Sequence, residues 1–172
     1  TCSPSLKGNV FVAGALSNTT GAFTIWGDFV ESNGSLANDG GGTITIHGNV
    51  KILGGNLSNN NILSIVDIRG NCSISGSITN ANQVAIYGRL ESAGLVNNTG
   101  GALFDVGFDS HIYGLTNNTC TTTFKGNLFV ENNVTTTTGI IIVYGNCHIM
   151  GIVTSDSTGA LTVFGNLYVR YT

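Results

Sequence analysis

Residues 44–52 read Ile-Thr-Ile-His-Gly-Asn-Val-Lys-Ile, so apolar side chains stand at every second position on either side of a Gly-Asn pair. Such alternation is typical of β-strands that turn one face to a core and the other to solvent. Gly and Asn predict a corner between the strands, because both residue types tolerate a positive φ angle. The segment therefore predicts two short strands joined at a corner.

The same segment recurs through the whole chain. Successive glycines lie 18 to 22 residues apart. The nine glycines are Gly8, Gly27, Gly48, Gly70, Gly88, Gly107, Gly126, Gly145 and Gly165. The copy at 107–109 is degenerate, with Phe108 where most copies have Asn and Asp105 in an otherwise apolar row. A unit of this length can bury its apolar face only by stacking on its neighbours.

This repeat predicts a single all-β domain over residues 1–172, built as a parallel β-solenoid. We expect about nine coils of ~19–20 residues, one starting near each glycine, and a rod roughly 43 Å long at the ~4.8 Å spacing of paired strands. The variable coil length favours a right-handed β-helix. An antiparallel sandwich is the alternative, but it has no reason to repeat one corner at a constant spacing.

The residue after each glycine falls at the same place in successive coils, and six of these residues are asparagines. Stacked Asn side chains hydrogen-bond along the stacking axis in cross-β structures. The predicted ladder consists of Asn9, Asn49, Asn71, Asn127, Asn146 and Asn166. Asp28 can join the ladder, whereas Arg89 and Phe108 interrupt it. We interpret the ladder as a stabilising feature rather than a binding site.

Composition excludes several kinds of partner. The chain has 172 residues, with 6 Lys+Arg against 9 Asp+Glu and a net charge of −3. No basic stripe is present that would follow a nucleic-acid backbone. No apolar run approaches the ~18 residues of a membrane span. The sequence therefore predicts neither a nucleic-acid partner nor a membrane segment.

The acidic and histidine residues do not form a recognisable active-site motif. Asp105 and Asp109 are the one close pair of carboxylates, with His111 nearby. His47 and His148 fall in other coils, and neither a metal-binding motif nor a nucleophile elbow is present. We predict no catalytic residue, no metal site, no cofactor and no enzymatic activity. A carbohydrate-active enzyme is the least favoured reading.

The four cysteines do not suggest a disulfide framework. Cys72 and Cys147 replace Val or Leu in an inward row, which predicts buried thiols about four coils apart. That separation is far beyond the ~7 Å between Cα atoms that a disulfide allows. Cys120 falls in a loop, and Cys2 precedes the first coil. Cys2 is the candidate for a disulfide to a second subunit.

Two surface features suggest modification or contact. Seven Asn-x-Ser/Thr sequons occur, one of them at the ladder residue Asn71. The remaining candidates for N-glycosylation are Asn18, Asn33, Asn56, Asn97, Asn117 and Asn133. An outward row just before the glycines carries the aromatic residues Trp26, Tyr87, Tyr144 and Phe164. An exposed aromatic stripe on a rod is typical of a contact surface, so we predict a lateral interface there.

The repeat runs to within a few residues of both termini, and neither end reads as an amphipathic capping helix. Solenoid ends without a cap offer unpaired strand edges to another chain. Either such ends pair head to tail between copies of this chain, or the chain is a fragment of a longer protein, and we predict the first. The residues expected at that joint are Leu6, Val10, Val12, Leu167, Val169 and Tyr171.

The recurring Ile-x-Gly-Asn-apolar-x-apolar-x-Gly pattern resembles that of bactofilins, and also the repeats of viral fibre and bacterial surface proteins. The resemblance covers residues 5–171 and implies a polymer-forming β-solenoid. The chain departs from bactofilins in its scarce charge, its Asn and Thr content and its longer coils. We therefore expect a self-assembling fibre outside the cell or on a virion or cell surface. The alternative is an adhesin module that binds a glycan or a host receptor.

Overall fold

The computed structural model describes residues 3–100 and 103–171. All regular structure in these residues is β, arranged in 24 strands. Every pair of neighbouring strands is parallel and joins one coil to the next, as in Ile65–Ile68 against Gln83–Ile86. This confirms the predicted all-β parallel β-solenoid of about nine coils.

The rod has three faces. The first face is a continuous nine-stranded sheet. Its strands are β1 (Ser5–Leu6), β4 (Ala22–Ile25), β7 (Thr43–Ile46), β10 (Ile65–Ile68), β13 (Gln83–Ile86), β15 (Leu103–Val106), β17 (Thr121–Phe124), β20 (Ile140–Val143) and β23 (Ala160–Val163). We number the coils one to nine by these strands.

The second and third faces share two long strands. The second face contains β2 (Val10–Val12), β5 (Phe29–Glu31), β8 (Val50–Ile52), β11 (Cys72–Ile74), β18 (Leu128–Val130), β21 (Cys147–Ile149) and β24 (Leu167–Val169). The third face contains β3 (Leu16–Asn18), β6 (Leu36–Asn38), β9 (Leu57–Asn59), β12 (Ile78–Asn80), β19 (Val134–Thr136) and β22 (Val153–Ser155). In coils five and six, β14 (Leu90–Asn98) and β16 (Ser110–Asn117) run through both faces.

The corners explain why coil length varies. The first corner, between the first and second faces, has three residues in every coil, as in 26–28 and 47–49. The third corner, which leads to the next coil, ranges from two residues at 81–82 to five at 60–64. Strand register is constant along the rod except in the pairing of β14 with β16, where it shifts between Ser92 and Leu95. The third corner absorbs most of the other insertions.

Steric crowding explains the glycine of the first corner better than the expected positive φ does. Among the described glycines of this corner only Gly8 has a positive φ. A Cβ atom on Gly48 would lie 2.4 Å from Oδ1 of Asp28 and 2.6 Å from the carbonyl of Gly27 in the coil below. Glycine is needed there because successive corners stack with no room for a side chain.

Alternate side chains of all three faces meet in one apolar core. Its largest members include Phe29, Phe104 and Phe124, all fully buried. One charged side chain interrupts the core: Glu31 is fully buried in the row that holds Val12 and Ile52 in neighbouring coils. Its Oε1 atom accepts a hydrogen bond from the backbone N–H of Asn33, and its Oε2 atom has no partner in the described structure.

The sixth coil is shifted by one residue from the predicted alignment. Val106 pairs with Ile86, and Ser110 pairs with Leu90, so Phe108 takes the place of the corner glycine. Val106 rather than Asp105 therefore points into the core. The expectation that Asp105 lies in the inward row was wrong. It placed Gly107 at the position of the corner glycine, whereas the structure places Phe108 there, one residue later.

Candidate functional site

The predicted ladder runs along the last residue of the first corner. Asn71 is typical: its backbone N–H donates to Oδ1 of Asn49 at 2.9 Å. The bonds that join Asn9, Asn49, Asn71, Asn127, Asn146 and Asn166 to adjacent coils follow this pattern. The ladder is thus confirmed. Its main hydrogen bond joins a side-chain oxygen to a backbone N–H of the next coil, however, instead of joining two side-chain amide groups.

Two aspartates belong to this ladder. Asp28 accepts from the N–H of Asn49 at 2.7 Å, as expected. Asp109 accepts from the N–H of Asn127 at 2.8 Å, so the sixth coil continues the ladder through Asp109. The predicted interruption at Phe108 was wrong, for the alignment reason given above. The backbone N–H of Arg89 donates to Oδ1 of Asn71, but the Arg89 side chain offers no acceptor to the next coil.

A second, buried ladder, which the sequence did not predict, lies at the end of the third face. Its side chains are fully buried from coil two to coil six, at Asn38, Asn59, Asn80, Asn98 and Asn117. Nδ2 of Asn59 donates to Oδ1 of Asn80 at 2.9 Å and to the carbonyl of Ser64 at 3.2 Å. The apolar-x-Asn triplet that ends the third-face strands of coils one to six is the signal that could have found it.

Core side chains are exposed at both described ends of the rod. In the last coil, Leu167 is 48% exposed and Val169 is 50% exposed. Cys147 and Ile149, the residues beneath them in the previous coil, are completely buried. Tyr171, beyond the last strand at this same end, is 76% exposed, and at the other end Leu6 is 41% exposed. Val10 and Val12 are partly buried against the core.

The four aromatic residues predicted for a lateral interface lie on one edge of the rod, and each is about half exposed or more. Trp26 stacks on His47 with ring centroids 4.0 Å apart, and Tyr144 stacks on Phe164 at 5.1 Å. The guanidinium of Arg69 lies 4.5 Å from the ring centroid of Tyr87. The edge therefore carries three stacked pairs of planar groups, in coils two and three, four and five, and eight and nine.

A groove of about 530 Å³ follows the second face from coil five to coil eight. Its two rims are the exposed ladder and the next outward row, which carries Glu91, His111, Phe129 and His148. The Phe129 ring lies edge-on between the two imidazoles, at 4.8 and 5.1 Å. The groove is not visible in the sequence, because its lining residues come from four coils.

One hydrogen bond links a groove side chain to the margin of the groove. Nε2 of His111 lies 2.8 Å from Oε1 of Glu131 in the next coil. The groove also contains one cationic and one anionic side chain without an ion-pair partner. The Arg89 guanidinium and the Glu91 carboxylate make no ion pair within the described structure. The arrangement can present both donors and acceptors to a ligand.

The carboxylates singled out in the sequence do not converge. Asp105 points outward from the first face, between Ala85 and Thr123, whereas Asp109 is the last residue of the first corner and belongs to the exposed ladder. His111 pairs with Glu131 instead of either aspartate. Among residues 3–100 and 103–171, no group of three or more His, Cys, Asp or Glu side chains is arranged to hold a metal.

Cys72 and Cys147 are buried in the second-face row, as predicted. Burial raises the pKa of the Cys72 thiol to about 12 and that of Cys147 to about 11. Cys120 is also buried, although it lies in the third corner of coil six. Cys2, proposed for an intersubunit disulfide, lies outside the described residues.

The sequons differ in accessibility. Asn33, Asn56 and Asn133 are exposed at the second corner, whereas Asn97 is partly buried. Nδ2 of Asn18 donates to Asn38 in the buried ladder. Asn117 is completely buried and its Nδ2 donates to the carbonyl of Cys120 at 3.0 Å. Burial at Asn117 contradicts a glycan there in the folded chain, because Nδ2 is the atom that would carry it.

Comparison of the chain with protein-family models, curated proteins and solved structures gives no match. Within the described part of the chain, no helix has the length and hydrophobicity needed to cross a membrane.

Proposed function

We propose that this chain is a structural rod that assembles head to tail into a fibre outside the cell or on a virion or cell surface. The observation that carries the proposal is the exposure of core side chains at both described ends. A neighbouring coil buries the equivalent residues everywhere else in the rod. Fully burying a Leu or Val side chain contributes ~1.5–3 kcal/mol, so a joint that covers several of them is favourable.

The strand edges at the two ends are complementary. Within residues 3–100 and 103–171, strands β23 and β24 each pair with one neighbour, as do β1 and β2. Parallel pairing of β24 with β2 of a second copy would place Leu167 beside Val10 and Val169 beside Val12. These pairs repeat the apolar stacking seen between Leu128 and Cys147. The joint thus continues the core on the first two faces.

The exposed ladder supports the same pairing of β24 with β2 of a second copy. Each ladder oxygen accepts the N–H of the next coil, as Asn146 does from Asn166. The described structure contains no donor for Oδ1 of Asn166 and no side-chain acceptor for the N–H of Asn9. A second copy stacked on coil nine would bring these two groups together. Because the two ends differ, such contacts generate an open filament rather than a closed dimer.

Fibres of this kind can also associate sideways. The aromatic edge of Trp26, Tyr87, Tyr144 and Phe164 runs parallel to the rod axis and stays exposed in an axial stack. We propose this edge as the lateral contact between neighbouring rods. The low content of charged residues, 9%, suits a surface that packs against copies of itself.

Electron microscopy and light scattering of the purified 172-residue chain test the proposal. Wild type is expected to form filaments with an axial repeat of roughly 43 Å that lengthen as concentration rises. Val169→Lys should remain as single rods, because the joint would bury an unpaired charge. Thr162→Lys adds the same charge to an outward position of the same coil and should still assemble.

Two results would overturn axial assembly. The first is wild-type protein that stays as discrete rods at all concentrations. The second is Val169→Lys that forms filaments as readily as Thr162→Lys, with both variants keeping the β-sheet circular dichroism of wild type.

A further inference from the structure

We propose that the groove along coils five to eight binds a short neutral carbohydrate chain. The site is independent of the head-to-tail joint, since both ends of the groove lie inside the rod. Its volume, about 530 Å³, is within the ~300–1,000 Å³ range of ligand pockets. Three coil steps of ~4.8 Å give a groove about 14 Å long, which suits a chain better than a single sugar ring.

The hydrogen-bonding groups of the groove match hydroxyl groups. Arg89 and Nδ2 of Asn146 are donors with no acceptor in the described structure. Glu91 and Oδ2 of Asp109 are acceptors with no described donor. A sugar hydroxyl both donates and accepts, so a row of hydroxyls can satisfy donors and acceptors that alternate along one path. Phe129 adds an apolar ring that can pack on the C–H face of a sugar.

Charge excludes other polymers. The groove and its immediate margin contain three carboxylates, on Glu91, Asp109 and Glu131, against the guanidinium of Arg89. Phosphate backbones and anionic glycans would be repelled. An extended peptide that adds to a sheet needs a free strand edge. Here the strands of the groove floor, such as β16 and β18, are paired on both sides.

Hydrogen-bonded contacts hold the groove in shape before a ligand arrives. The His111–Glu131 bond fixes one imidazole against Phe129. On the other rim, Oδ1 of Asp109 accepts from both the N–H and Nδ2 of Asn127, at 2.8 and 3.0 Å. A site held in this way loses little side-chain freedom on binding, which favours affinity.

The test is binding of the intact chain to neutral gluco-, manno-, galacto- and N-acetylglucosamine oligosaccharides of increasing length, by array and then by calorimetry. At least one neutral series is expected to bind, with longer members tighter than the monosaccharide. Phe129→Ala should weaken binding about tenfold or more. Phe11→Ala is the matched control, since Phe11 occupies the same outward row in coil one and lies outside the groove.

Arg89→Gln provides a second variant at an exposed side chain, so a folding defect at Phe129 would not decide the outcome. It should weaken the same oligosaccharide by about threefold or more. The proposal is overturned if no neutral oligosaccharide binds. It is also overturned if oligogalacturonate binds more tightly than the neutral chains, or if Phe11→Ala and Phe129→Ala have equal effects.

Discussion

Oδ1 of Asn146 accepts a hydrogen bond of 2.9 Å from the backbone N–H of Asn166, which lies one coil further along the rod. The bond uses only the oxygen of the amide, and Asp28 and Asp109 fill the same role in other coils. The exposed ladder therefore depends on an acceptor rather than on asparagine itself.

Asn146→Asp should consequently be tolerated. Asn146→Ala should lower the free energy of unfolding by about 1 kcal/mol, because it removes the acceptor of two exposed hydrogen bonds, from the N–H and from Nδ2 of Asn166. Urea unfolding followed by circular dichroism measures both variants. An equal loss for Asp and Ala would show that the amide N–H₂ group carries the stabilisation instead.

The buried ladder should be far more sensitive than the exposed one. Asn59→Ala removes a side chain that bonds to Asn80 and to the carbonyls of Ser64 and Gln83, all near or within the core. We expect the free energy of unfolding to fall by about 3 kcal/mol, because the buried polar partners of Asn59 are left without hydrogen bonds.

Asn60→Ala is the matched control for this variant. Asn60 is the next residue, is exposed and makes one side-chain bond, to Asp39. Asn60→Ala should lower the free energy of unfolding by less than about 1 kcal/mol in the same urea titration. Equal midpoints for the two variants would contradict a structural role for the buried ladder.

The stacked first corner predicts a contrast between two glycines. Gly48→Ala would place Cβ 2.4 Å from Oδ1 of Asp28, so we expect destabilisation of about 1–3 kcal/mol. Gly14→Ala has no atom within 4 Å of its Cβ and no positive φ, so it should be neutral or stabilise slightly. Thermal unfolding of the two variants measures the difference, and similar melting temperatures would argue against corner crowding.

Glu31 is expected to reduce stability. Its carboxylate is buried among apolar neighbours, and Oε2 has no described partner. Glu31→Val should raise the free energy of unfolding by about 1–3 kcal/mol, since it extends the row of Val12 and Ile52. Glu31→Gln removes the charge but keeps the size of the side chain and an acceptor for the N–H of Asn33. It therefore distinguishes the effect of the charge from the effect of side-chain shape. A lower urea midpoint for Glu31→Val would mean that the Asn33 bond outweighs the cost of the buried charge.

The buried thiols should resist alkylation. Burial raises the pKa of Cys72 to about 12 and that of Cys147 to about 11, so almost no thiolate forms near neutral pH. Iodoacetamide followed by peptide mass spectrometry should find both residues unmodified in folded protein and modified in guanidinium chloride. Rapid labelling of either residue in folded protein would contradict the described core.

The same pKa values set a direction for alkaline stability. Both thiols ionise more easily in the unfolded chain, where the pKa is near 9.0. Stability from these groups is thus complete below that pH and is lost progressively as pH rises through about 11 and 12. Cys72→Val with Cys147→Val should unfold at a higher pH than wild type.

Much of this architecture is predictable from local pattern. The alternation in residues 44–52 and the three-residue first corner give the strands, the coil number and the exposed ladder. These features are readable because each depends on residues close together in the chain. The physical reason for the corner glycine was not readable, since it depends on the coil below.

Other features needed contacts between coils. Phe108 takes a glycine position and Asp109 a ladder position, and this shift appears only when Val106 is paired with Ile86. The groove joins Arg89, His111 and His148 from separate coils. The sequence by itself determined a stacked, parallel β-rod, because side-chain alternation at a constant repeat permits little else. Tertiary structure alone decided which asparagines are buried and which polar groups meet. The third corner varies from two to five residues, so the residue that lies above a given side chain is set by strand pairing and cannot be found by counting a fixed number of residues along the chain.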